Sequence, residues 1–295
     1  EITTRLVGSE MCIRDRKMGD YCNENELTIE DVHSVTLKLV EKLIQICDAV
    51  GVNYYVAYGS LIGAVRHKGF IPWDDDFDVV MLRDDYEKFC DYCIHHQDEM
   101  KPYKLLTRKN EENYPYNIAR LNNMDYRAVY ENVQGYDSGV FIDIYPLDGA
   151  GSKAEQVIQR VKKKKSDLFR ITLWSIDDHY TKSTYHKWYR SIAKYIVRSY
   201  AKIRGSKYFL DKMENFKNLY DIKKSRYIAE MTWDSGLTLY EKKWFEDYIY
   251  MDFENLKVKV PVGYDDFLKC HYGDYMKLPP MEEQVPHHEY KVYRR

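Results

Sequence analysis

The chain lacks a marked excess of either charge: 45 Lys and Arg stand against 47 Asp and Glu, a formal net charge of −2. That balance argues against a dedicated nucleic-acid binder, whose domains usually carry a strong basic surplus, so no nucleic-acid partner is expected. Long apolar runs are missing as well. None approaches the roughly 18–20 residues that a transmembrane helix needs, and the start shows no basic, apolar, small-residue leader. The six cysteines (Cys12, Cys22, Cys47, Cys90, Cys93 and Cys270) form no disulfide framework, which favours a reducing cytosol. Cys90-x-x-Cys93 is the close pair, but no second pair lies at zinc-site spacing, so it reads as two helix cysteines rather than a metal or redox motif. The expected location is cytoplasmic.

What is present points to a folded chain. At 295 residues and 44% hydrophobic composition it can bury a sizeable core. Its 29 tyrosines exclude a disordered chain, which would be poor in aromatics. Aromatic faces can hold a quaternary ammonium, yet 13 tyrosines lie at or before residue 150 and 16 after it, so they mark no single site. Charge is distributed less evenly than its total suggests. Residues 1–152 sum to −11, residues 153–226 to +13 and residues 227–295 to −4. An acidic first half followed by a strongly basic segment suggests two functional regions.

The stretch Thr4 to Arg16 lacks clear periodicity and resembles translated sequencing-adapter sequence, so residues 1–20 are set aside as a non-native or disordered tail. From there the pattern predicts a helix over Ile29 to Val50, capped by Thr28 and ended by Gly51. A buried strand Tyr54 to Tyr58 follows, then a Gly59-Ser60 turn into a short helix through Arg66. Next come an acidic strand from Asp74 to Met81 and a helix from about Asp84 to Met100. Further strands are expected at Tyr103–Leu106, Asn117–Leu121, Arg127–Tyr130 and Val140–Tyr145. This mixture indicates an α+β (mixed α/β) fold with a catalytic core over residues 21–152. Residues 153–243 read as a basic helical region, and 244–295 as a Tyr/Pro-rich segment of strands and ordered loops packing on the core. Within the basic region, residues 184–204 form an amphipathic helix. Trp188, Ile192, Tyr195, Ile196, Tyr200 and Ile203 share one face, and Lys187, Arg190, Lys194, Arg198 and Lys202 recur on another. Such a helix is either an ordinary solvated one or one lying at the inner face of an anionic membrane. The nearby Lys162–Lys165 run adds positive charge to the second alternative.

The chemistry concentrates in Tyr58-Gly59-Ser60-Leu61-Ile62-Gly63-Ala64-Val65-Arg66 and Trp73-Asp74-Asp75-Asp76-Phe77-Asp78-Val79-Val80. In a strand, residues two apart share a face, so Asp74, Asp76 and Asp78 are expected to project together. Three carboxylates on one face repel unless a cation neutralises them, and hard oxygen ligands suit Mg²⁺ or Mn²⁺. A fourth acid, Asp143, sits in the otherwise apolar Val140–Tyr145, where a lone charge is costly, so it is expected to join the same site. Gly59 lets the backbone approach an anion, and the following helix offers free N–H groups. A phosphate-binding turn facing carboxylate-held metal is a phosphoryl-transfer arrangement.

These residues also carry a family resemblance. Gly59-Ser60, Asp76-Phe77-Asp78-Val79 and Phe141-Ile142-Asp143-Ile144 resemble the Gly-Ser, Asp-x-Asp and third-acid elements of the nucleotidyltransferase superfamily. The whole string from Gly59 to Asp78, and the ending Tyr272-Gly273-Asp274-Tyr275-Met276-Lys277-Leu278-Pro279-Pro280, resemble the LicD family closely. The resemblance covers about residues 30–290 and implies a nucleotidyltransferase-like mixed sheet. It also implies a phosphotransferase that moves phosphocholine from CDP-choline onto a cell-surface glycan such as lipopolysaccharide or teichoic acid, lipid-linked acceptors included. Relatives resembling fukutin-related protein move a polyol phosphate instead. Carried over, Asp76 and Asp78 are the principal metal ligands, Asp143 a third ligand or general base, and Asp74 a supporting acid. Gly59 and Ser60 hold the donor phosphates, and Arg66 and Arg120 neutralise pyrophosphate.

Other classes fit less of the pattern. A glycosidase explains paired carboxylates but not three beside a phosphate-binding turn. A nucleotidyltransferase acting on a sugar or antibiotic stays open, distinguished by release of pyrophosphate instead of CMP. A binding-only pseudoenzyme would not need the acid set. A serine hydrolase fails because Ser60 sits one position too early for a G-x-S-x-G elbow.

Overall fold

A computed structural model describes residues 26–130, 136–176, 188–285 and 290–295. The tail reading for residues 1–20 and the first four residues of the basic helix, 184–187, lie outside the described residues.

The N-terminal helix α1 spans Ile29–Val50, as its periodicity predicts. Thr28 and Asp31 satisfy each other's backbone N–H groups in a capping box, and Gly51 ends the helix at φ 71°, where a side chain would be strained. Its stripe, including Val35, Leu39, Leu43 and Ile46, is buried. Burial of side chains of this size contributes about 1.5–3 kcal/mol each.

That stripe packs against a mixed sheet. The sheet runs β1 (Tyr55–Val56), β2 (Asp78–Leu82), β6 (Val140–Gly149), β4 (Ala119–Asn123) and β3 (Tyr103–Leu106) in spatial order. β2 and β6 are parallel; the β1–β2, β6–β4 and β4–β3 pairs are antiparallel. Two short strands, β7 (Tyr227–Ala229) and β8 (Tyr240–Glu241), extend the far end of β6. The chain is α+β, as expected. Helix α2 (Tyr58–Ile62, continued by a wider turn Gly63–His67) bridges β1 and β2, and α3 (Arg83–His95) follows β2 directly. β5 (Tyr126–Tyr130) pairs with the C-terminal β11 (Tyr290–Arg294), and β9 (Tyr248–Phe253) with β10 (Leu256–Pro261).

The basic region supplies α4 (Ala154–Val157), α5 (Lys163–Ile176), α6 (Trp188–Arg204) and α7 (Ser206–Glu214). A second hydrophobic cluster forms there around Val157, Val161, Phe216, Met231 and Leu237. The main cluster joins α1 and the sheet to C-terminal residues such as Phe253, Val258 and Phe267.

Several expectations need correction. The acidic strand starts at Asp78, not Asp74, because the β1–β2 and β2–β6 ladders begin there and three successive aspartates are poor strand formers. The strand expected at Tyr54–Tyr58 shrinks to Tyr55–Val56, and Gly59-Ser60 lies inside the first turn of α2 instead of before it. α3 ends at His95, and β6 runs on to Gly149. The stretch after Trp244 contains a helix, α8 (Tyr264–Tyr272), which the pattern hid because only Phe267 and Leu268 of its nine residues are buried. Of the Lys162–Lys165 run, Lys165 is buried and donates to the backbone carbonyls of Asp234 (2.9 Å) and Gly236 (2.6 Å). Burial pulls its pKa down to about 8. Cys90 and Cys93 are buried on α3 as free thiols, and burial pushes both pKa values up, so they are inert packing residues.

Tyrosine serves the core here: Tyr54, Tyr55 and Tyr114 are at most 2% exposed. Burial pushes the hydroxyls of Tyr54, Tyr55, Tyr86 and Tyr114 above their ordinary value. The stability linked to these groups is complete below their unfolded pKa of about 10 and falls as pH rises past it. A spectroscopic alkaline titration should therefore show an early class of exposed tyrosinates and a late class that appears only as circular dichroism collapses. Ionisation of all tyrosines in one step near pH ~10, with the fold intact, would contradict this packing.

Candidate active site

The parallel junction of β2 and β6 places Asp78 directly beside Asp143, and the antiparallel β6–β4 register places Arg120 on the other side of Asp143. Residues opposite one another in a ladder point to the same face. Asp78, Asp143 and Arg120 thus form a row across three neighbouring strands. Arg120 donates through Nε and Nη2 to both oxygens of Asp143, at 2.6 and 3.1 Å. Its guanidinium lies over the rings of Phe141 (4.1 Å) and Tyr116 (4.6 Å) and donates to the hydroxyls of Tyr136 and Tyr130. The sequence alone did not pair these two charges; the register does.

Asp78 has no such partner. It is 8% exposed, and its Oδ1 has no hydrogen-bond partner among the described residues. Burial, then the charges of Asp76, Asp143 and Asp74, raise its pKa well above the ordinary carboxylate range, with Arg120 opposing them. A buried, unsatisfied carboxylate oxygen facing like charges is the environment that a cation relieves. Among the described residues no three Asp, Glu, His or Cys groups stand close enough to enclose a metal by themselves. The donor set instead suits Mg²⁺, which commonly takes one or two carboxylates and completes its shell with water and substrate phosphates.

Asp74, Asp76 and Asp78 line a cavity of about 620 Å³ together with Tyr58, Gly59 and Arg66. Its far wall comes from the C-terminal segment, through Tyr272, Tyr275, Lys277 and Pro279. Arg66 ties that wall to α2 by donating to the carbonyls of Tyr275 (2.8 Å) and Lys277 (3.4 Å). The acidic loop is fixed from both sides. His33 of α1 bonds through Nε2 to the Asp74 carbonyl at 2.6 Å, and Tyr290 of β11 donates to the Asp75 carbonyl at 3.1 Å.

The expected phosphate turn divides into two roles. Gly59 faces the cavity, and a Cβ there would stand 2.6 Å from Asp74 Oδ2, so any larger residue would push the Asp74 carboxylate aside. Ser60 is buried, and its Oγ accepts a hydrogen bond from the Asp78 N–H at 2.8 Å. It clamps α2 to the start of β2 and does not line the cavity. Arg120 and Asp143 likewise lie outside the cavity lining, paired with each other. The structure thus brings Gly59, Arg66, Asp74, Asp76 and Asp78 together at one cavity, with Ser60, Asp143 and Arg120 behind it.

Tyr58 was not singled out by its sequence context. It opens α2 with φ 50°, in the left-handed region, and its buried hydroxyl has no hydrogen-bond partner among the described residues. A strained, polar-capped aromatic at a cavity wall is a common mark of a working site. His33 likewise gives no signal in the sequence, because a lone imidazole on a helix is ordinary until the acidic loop packs against it.

A mixed sheet carries an aspartate-lined cavity at its parallel junction, and the comparisons with known proteins identify the chain as a transferase and give its family. A model described as the LicD/FKTN/FKRP nucleotidyltransferase domain matches residues 51–171. The lipopolysaccharide cholinephosphotransferase LicD of Haemophilus influenzae is 31% identical over 276 residues, covering 91% of this chain and 98% of that protein. The human ribitol 5-phosphate transferase FKRP is 42% identical over 43 residues, 15% of this chain and 9% of its own length. An uncharacterised protein of Rickettsia prowazekii is 31% identical over 97 residues, 32% of this chain and 34% of that protein. The chain belongs to the LicD family.

Removing one member of the Arg120–Asp143 pair leaves the other charge buried without a partner. Arg120→Met should cost about 3–5 kcal/mol of stability, and much of this should return in an Arg120→Met/Asp143→Leu double variant. Denaturant unfolding measures both; a single variant as stable as the parent would show that the pair is not buried and coupled.

Proposed function

We propose that this chain transfers phosphocholine from CDP-choline to a hydroxyl of a cell-surface glycan precursor, releasing CMP. The observation that carries the reading is the buried, unpartnered Oδ1 of Asp78 among neighbouring carboxylates at the cavity, in a chain similar along most of its length to a cholinephosphotransferase.

Asp78 and Asp76 would hold Mg²⁺ or Mn²⁺. When bound, the ion supplies positive charge to the donor diphosphate and to the oxygen that leaves with CMP. The protein's own groups set the rest. Gly59 keeps the α2 terminus free of a side chain where the donor approaches. Arg66 and Lys277 add positive charge to a cavity whose lining otherwise carries Asp74, Asp76, Asp78, Asp274 and Glu283. Asp143, with both oxygens engaged by Arg120, acts as a fixed counter-charge that orients the row and not as a proton acceptor. The acceptor oxygen forms a bond to the donor phosphorus as the bond to the CMP oxygen breaks, and the hydroxyl proton passes to solvent or to the cavity carboxylates.

The cavity lining also favours choline. Tyr58, Trp73, Tyr272 and Tyr275 present aromatic surface beside the acids, a combination that suits a quaternary ammonium better than a neutral polyol. The 43-residue similarity to FKRP supports a second reading, a polyol phosphate as the transferred group.

Incubation with Mg²⁺ and a panel of CDP-choline, CDP-ribitol and CDP-glycerol, with an assay for CMP, separates these readings. CDP-choline turnover is expected. Asp76→Asn and Asp78→Asn should lower it by at least about 10²–10³-fold. Asp78→Asn should melt no lower than the parent in the absence of metal, because it removes a buried like charge, a change of the kind that adds about 0.5–2 kcal/mol. Undiminished turnover in either variant would refute the ligand assignment. Turnover of CDP-ribitol alone would favour the polyol reading, and pyrophosphate release from CTP a nucleotidyltransferase.

A further inference from the structure

Helices α1 and α6 both carry an apolar stripe at helical spacing, but they use it in opposite ways. The stripe of α1 is buried against the sheet. On α6 the corresponding residues face outward: Ile192 is 49% exposed, Tyr195 61%, Ile196 60%, Tyr200 45% and Ile203 84%. Spacings of three and four put all five on one side of the helix. The opposite side packs on α5 and buries Ala201. An ordinary solvated helix would have this polarity reversed.

The charge of α6 narrows what can cover the stripe. Its 17 residues contain Arg190, Lys194, Arg198, Lys202 and Arg204 and no acid. A second copy of this chain would set one strongly cationic helix against another. Lys194 is turned toward α5, its Nζ 5.9 Å from the Trp174 ring, whereas Lys202 and Arg204 are exposed at the edges of the stripe. An anionic lipid surface complements both features together, taking the apolar stripe into the acyl boundary and these edge cations to the headgroups. Tyr195 and Tyr200 are amphipathic residues of the kind that settle at that boundary. Among the described residues no helix is long and apolar enough to cross a membrane.

We propose that α6 is an interfacial helix that docks the protein on an anionic membrane surface. The inference rests on α6 alone and holds whatever group the active site transfers.

Sedimentation of the full chain with phosphatidylglycerol/phosphatidylcholine vesicles, and with phosphatidylcholine vesicles alone, tests it. Binding to the anionic vesicles is expected, weakened by added salt, with little binding to the zwitterionic ones. Ile196→Glu/Ile203→Glu changes only exposed side chains, so circular dichroism and melting should be unchanged while vesicle binding falls roughly tenfold or more. Three results would overturn the proposal. One is absence of binding to anionic vesicles, and another is equal binding by the double variant. The third is a lipid-free dimer of the parent that the double variant converts to monomer, which would make this face a subunit interface.

Discussion

Two buried aspartates, Asp78 and Asp143, stand side by side where β2 and β6 run parallel, and only one of them has a neutralising partner. Burying two like charges in adjacent strands is expensive, and the surrounding structure is organised around that expense. Arg120, aligned from β4, compensates Asp143 with two hydrogen bonds and is itself held between aromatic rings. Asp78 has no such compensation. Its pKa is raised mainly by burial and then by the neighbouring carboxylates, so the ligand-free fold carries electrostatic strain that a divalent cation would relieve.

Distant parts of the chain hold this arrangement in place. Ser60 fixes the start of β2 from α2, while His33 from α1 and Tyr290 from β11 grip the backbone of the acidic loop. Arg66 pins the Tyr272–Pro280 segment as the opposite wall of the cavity. The C-terminal strand and segment are therefore parts of the site and not a separate appendage. A fold that spends buried polar contacts on orienting carboxylates is the expected compromise between stability and activity.

Much of this was legible beforehand where local chemistry dictates structure. The capping box at Thr28, the period of α1 and the strand Tyr103–Leu106 appear as read. The convergence of Asp74, Asp76 and Asp78 was also legible, although its cause differs. A shared strand face does not bring them together; a loop pinned by His33 and Tyr290 delivers the first two and β2 the third. Pairing between strands could not be read. Arg120 looks like any strand arginine until the register sets it opposite Asp143, and no local pattern announces that the Ser60 hydroxyl accepts from the Asp78 N–H. The exposed stripe of α6 is a similar case, since periodicity predicts a stripe but not the direction it faces.

Asp78 and Asp76 are proposed as the protein's contribution to a cation site. Titration of Mn²⁺ followed by electron paramagnetic resonance, with and without CMP, tests it most directly. Saturable binding of a single ion is expected, strengthened by CMP and abolished or greatly weakened by Asp78→Asn and by Asp76→Asn without disturbance of the fold. Mn²⁺ binding that is unchanged in both variants, or absent from the parent even with CMP, would contradict it.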